Sequence, residues 1–257
     1  MNRNNLSSKR IGETSINKDG DIIKIIEYID ANHIKVEVQN KYKDKIYTNY
    51  YSFKNHTVKN NHRKDVCNIG YIGNTNATIN GKKKYSYSVW NNMIRRCYDT
   101  KEQMKTPTYK GCTVCDEWLC FENFEKWFDK NYYEIPNQRM NLDKDILLKG
   151  NKIYSPLYCR IVPQEINILF IKSNKKRGCL PIGVSVNNKK FKAQISLLIN
   201  NKKVLKGLGT YNTPQEAFES YKKAKEKYIK FVADKYKKYI PLDIYNAMYK
   251  YEVEITN

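Results

Sequence analysis

Short runs of β-branched and aromatic residues, partly alternating with polar ones, mark the N-terminal part of the chain. They cover residues 20–28, 33–38 and 45–51, and Asp, Asn and Lys turns separate them. Alternation with a period of two is typical of half-buried strands. The pattern therefore predicts a small antiparallel β module at about residues 12–60, followed by a linker rich in Asn, His and Lys.

The spacing of apolar residues becomes helical after residue 85, where every third or fourth position is apolar. This spacing predicts two short amphipathic helices, of which the second has an aromatic face. The residues that define them are Val89, Trp90, Met93, Ile94 and Cys97 in the first and Phe121, Phe124, Trp127 and Phe128 in the second.

The region after residue 181 has the clearest pattern in the chain. Residues 182–186, 190–199 and 203–208 predict three strands joined by Asn-Asn turns. Thr213 and Glu216 predict a capping box with Pro214 at the first helical position, followed by a long helix with one apolar face. Three antiparallel strands packed on one helix would form a self-contained module, onto which the tail after residue 240 could dock.

The charge of the chain narrows the choice of partner. Its 47 Lys and Arg against 26 Asp and Glu give a formal net charge of +21, and 40% of its residues are hydrophobic. A folded, strongly basic chain has double-stranded DNA as its leading partner, with an anionic membrane surface as the competing explanation. Heavy use of Lys, Asn, Ile and Tyr indicates an AT-rich genome, so part of this charge reflects composition.

Targeting and cysteine signals point to the cytoplasm. The sequence has no run of about 18 apolar residues that could span a membrane and no apolar signal segment at its start. Seven cysteines are an odd number and argue against a disulfide framework. Cys112 and Cys115 form a CxxC pair that could bind Zn²⁺ together with Cys97 and Cys159, or all four could be buried apolar thiols.

An acidic segment in the middle of the chain carries the candidate chemistry. Asp143 and Asp145 would share one face of a short strand, followed by a turn at Asn151, a second short strand and Asn167. These oxygen donors could bind Mg²⁺ or Mn²⁺, which stabilises the attacking and leaving oxygens in phosphodiester cleavage. The alternative is a solvated strand edge with Asp-Lys pairs.

Residues 85–172 resemble phage-encoded HNH-type homing endonucleases. The motifs that carry this resemblance are Trp90-Asn91-Asn92-Met93, Arg96-Cys97-Tyr98, Val114-Cys115-Asp116-Glu117-Trp118, Leu142-Asp143-Lys144-Asp145, Asn151, Tyr154-Ser155-Pro156 and Cys159. The resemblance implies a ββα-metal core, a metal-binding Asp143 and a location in the cytoplasm of an infected bacterial host.

The chain departs from that family at two positions. Lys144 stands where many members carry a His general base, and Tyr158 stands where many supply a metal-binding Asn, for which Asn151 or Asn167 could substitute. Lys144 would then contact phosphate or stabilise transition-state charge, because a neighbouring Asp pair opposes the lowered pKa that a base needs. All three histidines precede residue 65.

The C-terminal strands resemble the Apetala-two type DNA-binding domain. The matching motifs are Gly183-Val184, Phe191-Lys192-Ala193-Gln194-Ile195, Leu208-Gly209-Thr210-Tyr211, Thr213, Glu216-Ala217 and Tyr221. The resemblance implies that outward-facing strand residues contact DNA in the major groove, although lysines also protect sheet edges from pairing. The predicted contacts are Ser185, Lys190, Lys192, Gln194, Ser196, Lys203, Lys206 and Tyr211, with Arg95 and Arg96 from the first helix.

Together these patterns predict an α+β protein with three parts. Residues 1–65 would form the accessory β module and linker, residues 66–175 an HNH-like core, and residues 176–257 the DNA-binding sheet, helix and tail. The predicted function is a metal-dependent DNA endonuclease. One alternative is a DNA-binding protein or phage regulator with a catalytically degenerate core, and another is an interaction protein that binds a host partner through its N-terminal module.

Overall fold

Helices and small antiparallel sheets alternate along the chain in a computed structural model that describes residues 9–170, 180–199 and 202–255, Ile199 by its backbone only. The predicted α+β class is confirmed. The chain divides into an N-terminal unit, Met1–Lys130, and a C-terminal unit, Asn131–Asn257. The boundaries predicted near residues 65 and 175 lie inside these units.

The N-terminal unit begins with an antiparallel sheet of four strands in sequential order. These are β1 (Thr14–Ile16), β2 (Ile22–Tyr28), β3 (Ile34–Val38) and β4 (Lys45–Thr48). Alternate residues of β2 and β3 are buried and pack against Phe53, as the period-two pattern predicts. The predicted third strand ends early, because the Asn49 side chain accepts a hydrogen bond from the Ser52 N–H and begins helix α1 (Tyr50–Lys54).

The rest of this unit contains both predicted amphipathic helices. Its elements are β5 (Thr78–Ile79), β6 (Lys82–Lys83), α2 (Tyr85–Tyr98), α3 (Thr100–Lys105), β7 (Thr113–Val114) and α4 (Phe121–Asn131). Trp90 and Trp118 are fully buried, and the Trp90 indole N–H donates to the Trp118 carbonyl over 2.7 Å. Phe121 and Phe124 of α4 are also fully buried, and the Phe121 ring centre lies 5.5 Å from that of Trp90, so aromatic residues of α2 and α4 form a core.

The C-terminal unit begins with a strand pair followed by a helix. Strands β8 (Met140–Asp143) and β10 (Arg160–Pro163) are antiparallel, and β9 (Ile153–Tyr154) lies between them in sequence. Helix α5 (Gln164–Leu169) follows and packs on both paired strands. The buried Glu165 of α5 accepts hydrogen bonds from Lys235 Nζ (2.5 Å) and the Tyr236 hydroxyl (2.6 Å) of helix α6 (Pro214–Tyr236).

The predicted three-stranded sheet is present and packs on α6. Strands β11 (Val184–Asn187), β12 (Lys190–Ile199) and β13 (Lys202–Tyr211) are antiparallel in sequential order. The Thr213–Glu216 capping box and Pro214 begin α6 as predicted. Ala193 and Ile195 of β12 lie against Phe218 and other residues of α6, which buries one face of this sheet–helix module.

The long hairpin extends beyond the short first strand. Strand β11 pairs only with residues 190–193, so residues 194–199 and 202–207 form a two-stranded ribbon. The Tyr228 hydroxyl of α6 accepts a hydrogen bond from the Leu198 N–H over 2.9 Å, which satisfies a donor on the open edge of the ribbon. Helix α6 therefore holds the ribbon in place.

The predicted docking of the C-terminal tail is also observed. Helix α7 (Leu242–Tyr249) packs on α6, where the hydroxyls of Tyr245 and Tyr249 donate to Asp234. Val253 is buried in the core of the sheet–helix module. Within the described ranges, no helix combines the length and the apolar character needed to cross a membrane.

We expect Gly183→Ala to destabilise the C-terminal unit strongly. Gly183 has a φ of +77°, and a Cβ at this position would lie 2.1 Å from Cδ2 of the Tyr221 ring. Backbone strain and the clash should together lower the free energy of unfolding by about 2–5 kcal/mol, measured by denaturant titration. Gly150→Ala is the matched control, because Gly150 has a φ of +79° and open space around it; an equal loss in both variants would show that close packing of Tyr221 is unimportant.

Candidate nucleic-acid interface and candidate nuclease turn

The face of the C-terminal sheet that points away from α6 is a polar, lysine-bearing surface, here called the outer face. Paired residues of antiparallel strands lie on the same side of the sheet. Since Ala193 and Ile195 are buried against α6, the alternate residues of β12 and their partners lie on the other side. The outer face therefore consists of Ser185, Asn187, Lys190, Lys192, Gln194, Ser196, Leu198, Lys203, Leu205, Gly207 and Thr210.

The outer face carries positive charge without nearby acidic residues in the sequence. Residues 166–215 include lysines and an arginine but neither aspartate nor glutamate. Lys190, Lys192 and Lys203 make no ion pair with any described residue, and the Gln194 side chain makes no hydrogen bond within the same ranges. These groups are consequently available to a ligand that supplies negative charge and hydrogen-bond acceptors.

Two residues predicted to point outward lie on the helix side of the sheet. Lys206 is paired with Ile195, which is buried on the helix side. Lys203 and Lys206 are three positions apart in a regular strand, so they lie on opposite faces of the sheet. Leu208 is an extra residue in a β-bulge, which reverses the alternation that follows. Tyr211 is therefore opposite Phe191 and packs against the core, so the predicted outward orientation of Lys206 and Tyr211 is wrong.

The two arginines predicted to contact DNA from α2 already have partners within the N-terminal unit. The Arg95 guanidinium donates to Asp99 Oδ2 over 3.1 Å and to Glu102 Oε1 over 3.4 Å. The Arg96 guanidinium lies 5.2 Å from the centre of the Tyr109 ring. Arg95 is thus partly neutralised, which makes it a weaker candidate for a phosphate contact than the lysines of the outer face.

Asp143 ends strand β8 and folds the chain into a turn. Its carboxylate is buried, and Oδ1 accepts hydrogen bonds of 2.8 Å from the N–H groups of both Asp145 and Ile146. These bonds bend the chain away from the strand direction. Asp145 therefore follows the end of the strand, and the prediction that Asp143 and Asp145 share a strand face is wrong.

Burial raises the pKa of the Asp143 carboxyl, while its two hydrogen bonds to backbone N–H groups oppose that rise.

Lys144 is buried in the same turn, with 6% of its surface exposed. Its Nζ lies 2.8 Å and 2.7 Å from the two carboxylate oxygens of Asp145 and donates to the Asn151 carbonyl over 2.6 Å. A buried ammonium needs such partners to offset its lost hydration. Lys144 thus joins both ends of the turn and neutralises Asp145.

Asn151 closes this turn with its side chain. Its Nδ2 donates to the carbonyls of Lys144 (2.9 Å) and Ile153 (2.7 Å), and its Oδ1 accepts from the Ile153 N–H over 3.1 Å. The residue is almost fully buried. Both ends of the carboxamide are therefore used to fix the backbone, as expected for a structural asparagine in a loop.

The turn does not fit the predicted Mg²⁺ or Mn²⁺ site in this arrangement. Mg²⁺ requires about six oxygen ligands at close to 2.1 Å. Lys144 binds both oxygens of Asp145, and backbone N–H groups bind Oδ1 of Asp143 and Oδ1 of Asn151. Oδ2 of Asp143 is the oxygen left without a hydrogen bond among the described residues, and Asn167 lies half-buried on α5.

Three of the four cysteines proposed for zinc are buried. Cys97 and Cys112 are buried and Cys115 is half-buried in the N-terminal unit, while Cys159 is buried in the C-terminal unit. Desolvation raises the pKa of the Cys115 thiol, which opposes the thiolate form that Zn²⁺ binds. Across the parts of the chain that the structure describes, no group of three or more His, Cys, Asp or Glu side chains could hold a metal ion.

A histidine outside the presumed core makes an interaction that the sequence pattern did not reveal. His62 Nδ1 is hydrogen-bonded to the buried carboxylate of Asp44, and the Tyr42 ring stacks on the imidazole at 3.8 Å. Tyr42 and Asp44 also line an open cleft of about 540 Å³ in the N-terminal unit. His62 thereby fixes the linker to the loop before β4, a pairing over 18 positions that no local motif signals.

Comparisons with models of known protein families, with curated proteins and with solved structures found no match. The chemistry of the chain is therefore inferred from its own geometry.

We expect Asp143→Asn and Asp143→Ala to have different effects on the free energy of unfolding. Asp143→Asn keeps an oxygen that accepts from the Asp145 and Ile146 N–H groups, so the free energy of unfolding should change by less than about 1 kcal/mol. Asp143→Ala leaves two buried N–H groups without a partner and should cost about 2–4 kcal/mol. Denaturant titrations of the three proteins measure the difference; equal stabilities would contradict the turn-forming role of this side chain.

Proposed function

We propose that the chain is a double-stranded DNA-binding protein whose C-terminal sheet enters the major groove. The observation that carries this proposal is the outer face, a surface with unpaired lysines and no acidic residue. Helix α6 covers the opposite face, so the outer face is the side of the sheet left for a partner. Phosphate groups supply the negative charge that these lysines lack.

The dimensions of the hairpin support this proposal. A major groove about 12 Å wide admits a two-stranded β-ribbon, whose strands lie about 4.8 Å apart. Residues 194–199 and 202–207 form such a ribbon, about 20 Å long at roughly 3.4 Å per residue. Gln194 and Ser196 lie on its outer face, where their polar groups could reach base edges, while Lys190, Lys192 and Lys203 could reach phosphates.

The charged contacts predict a defined salt dependence. We expect Lys192→Ala combined with Lys203→Ala to reduce the slope of log K against log salt by about 1.8, because each lost phosphate contact removes about 0.9. Fluorescence anisotropy with a mixed-sequence duplex at several salt concentrations measures this slope. The control combines Lys223→Ala with Lys227→Ala, which removes the same charge from exposed positions on α6; equal slopes in the two double variants would contradict a specific role for the outer face.

Metal-dependent phosphodiester hydrolysis at the Asp143 turn is the second candidate function. The observation that favours it is the order of β8, β10 and α5, two antiparallel strands followed by a helix that packs on both. This order agrees with the ββα core implied by the resemblance to HNH-type homing endonucleases. The turn opposes it, since a metal would have to displace Lys144 from Asp145.

Cleavage and binding assays on the same samples separate the two functions. On the DNA-binding proposal, the wild type shifts duplex DNA in a gel but does not cut it with Mg²⁺ or Mn²⁺, and Asp143→Asn behaves identically. Asparagine preserves the hydrogen bonds of the turn but is a weaker metal ligand than aspartate. Cutting by the wild type that disappears in Asp143→Asn would instead establish the nuclease and contradict a purely structural Asp143.

A further inference from the structure

A large apolar side chain is exposed within the polar outer face. Leu205 is 63% exposed and lies opposite Ser196 on the two-stranded ribbon. The core of the sheet–helix module lies on the other side of the sheet, so Leu205 contributes no packing there. Leu198 is the other leucine of the outer face and is only half-buried, so Leu205 is the more exposed apolar contact that this face can offer to a ligand.

The neighbours of Leu205 leave room for close approach. Gln194 is opposite Gly207 in the register, which places its carboxamide diagonally across the ribbon from Leu205. A Cβ on Gly207 would meet only Cε of Lys192, at 3.8 Å. The space beside Gln194 is thus bordered at Gly207 only by the flexible end of the Lys192 side chain, which can move aside for a base edge.

The chemistry of these two side chains matches A·T base pairs in the major groove. A glutamine can donate from Nε2 to adenine N7 and accept from adenine N6 at Oε1, and an apolar side chain can pack on the thymine 5-methyl group. Side chains on diagonal positions are about 7 Å apart, within the span of two neighbouring base pairs. A G·C pair offers neither the methyl group nor the N6 donor.

We infer that the ribbon selects A·T base pairs in the major groove, with Gln194 reading adenine and Leu205 packing on the thymine methyl group. This inference rests on the proposed DNA-binding function. It adds a preference that the lysines alone do not give, because phosphate contacts are the same for every sequence.

The test compares duplexes that differ only in single atoms or groups. An AT-rich duplex is prepared with thymine or with uracil, which lacks the 5-methyl group, and binding is measured at one salt concentration. We expect the wild type to bind the uracil duplex about fourfold more weakly for each methyl contact, as burial of one methyl group is worth about 0.8 kcal/mol. Leu205→Ala should bind both duplexes equally.

Two further variants test which residue makes each base contact. Gln194→Ala should weaken the preference for A·T over G·C duplexes without abolishing it, because the methyl contact of Leu205 remains. It should lose the sensitivity to 7-deazaadenine, which lacks the N7 acceptor of adenine, and keep its response to the methyl group. Leu242→Ala is the matched control, because Leu242 is 72% exposed on α7, away from the sheet. It should behave as the wild type does.

The outcomes separate this inference from the function on which it rests. Equal wild-type affinity for thymine and uracil duplexes would overturn the methyl contact. Equal wild-type affinity for A·T-rich and G·C-rich duplexes, with the lysine-dependent salt slope retained, would overturn the A·T inference and leave DNA binding in place. No binding to any duplex would overturn both. A methyl effect that persists in Leu205→Ala would overturn the assignment to Leu205.

Discussion

The packing of α6 against one face of the C-terminal sheet determines what the rest of that sheet can do. Phe218 and Tyr221 are buried against β12, and full burial of each such side chain contributes roughly 1.5–3 kcal/mol. Gly183 permits this close contact, because any larger residue would overlap the Tyr221 ring. Since the helix side supplies the core, the outer face has no packing role, and its side chains can serve recognition at little cost to folding.

In the Asp143 turn, by contrast, the polar side chains are used by the fold itself. A carboxylate or carboxamide has few lone pairs and N–H groups, and here the fold itself uses most of them. Oδ1 of Asp143 accepts from two backbone N–H groups, and both ends of the Asn151 carboxamide are hydrogen-bonded to Ile153 at the start of β9. Polar residues that resemble a catalytic set therefore also hold an irregular turn together through their own hydrogen bonds. Substitution of Asp143 by Asn distinguishes these roles better than substitution by Ala, because it preserves the acceptor.

Sequence patterns predicted the elements of this fold better than their details. The sheet–helix module follows from alternation in the strands and from the Thr213–Glu216 capping box, both of which are local signals. The details that failed depend on single hydrogen bonds or on one inserted residue, such as the bulge at Leu208 and the turn after Asp143. A lysine-rich stretch also does not reveal which of its members are buried: Lys225 of α6 is half-buried, and desolvation lowers its pKa to about 8.

The two sheets of this chain provide an internal test of whether the positive charge is only compositional. A bias toward lysine codons acts on both sheets equally. In the N-terminal sheet, Glu37 lies opposite both Lys24 and Lys45, and Glu27 lies opposite Lys35, so lysines and glutamates alternate across its exposed face. In the C-terminal sheet, lysines take comparable positions, but no acidic residue lies opposite them.

Cross-strand pairs of opposite charge stabilise a sheet, whereas lysines without such partners repel one another. The C-terminal sheet has no acidic residues, so it lacks the small stabilisation that cross-strand Lys–Glu pairs give to the N-terminal sheet. Composition explains why lysine is frequent in both sheets, but it does not explain why glutamate is missing from one. The proposed polyanionic partner would explain it, because acidic residues on the outer face would repel the phosphates of such a partner.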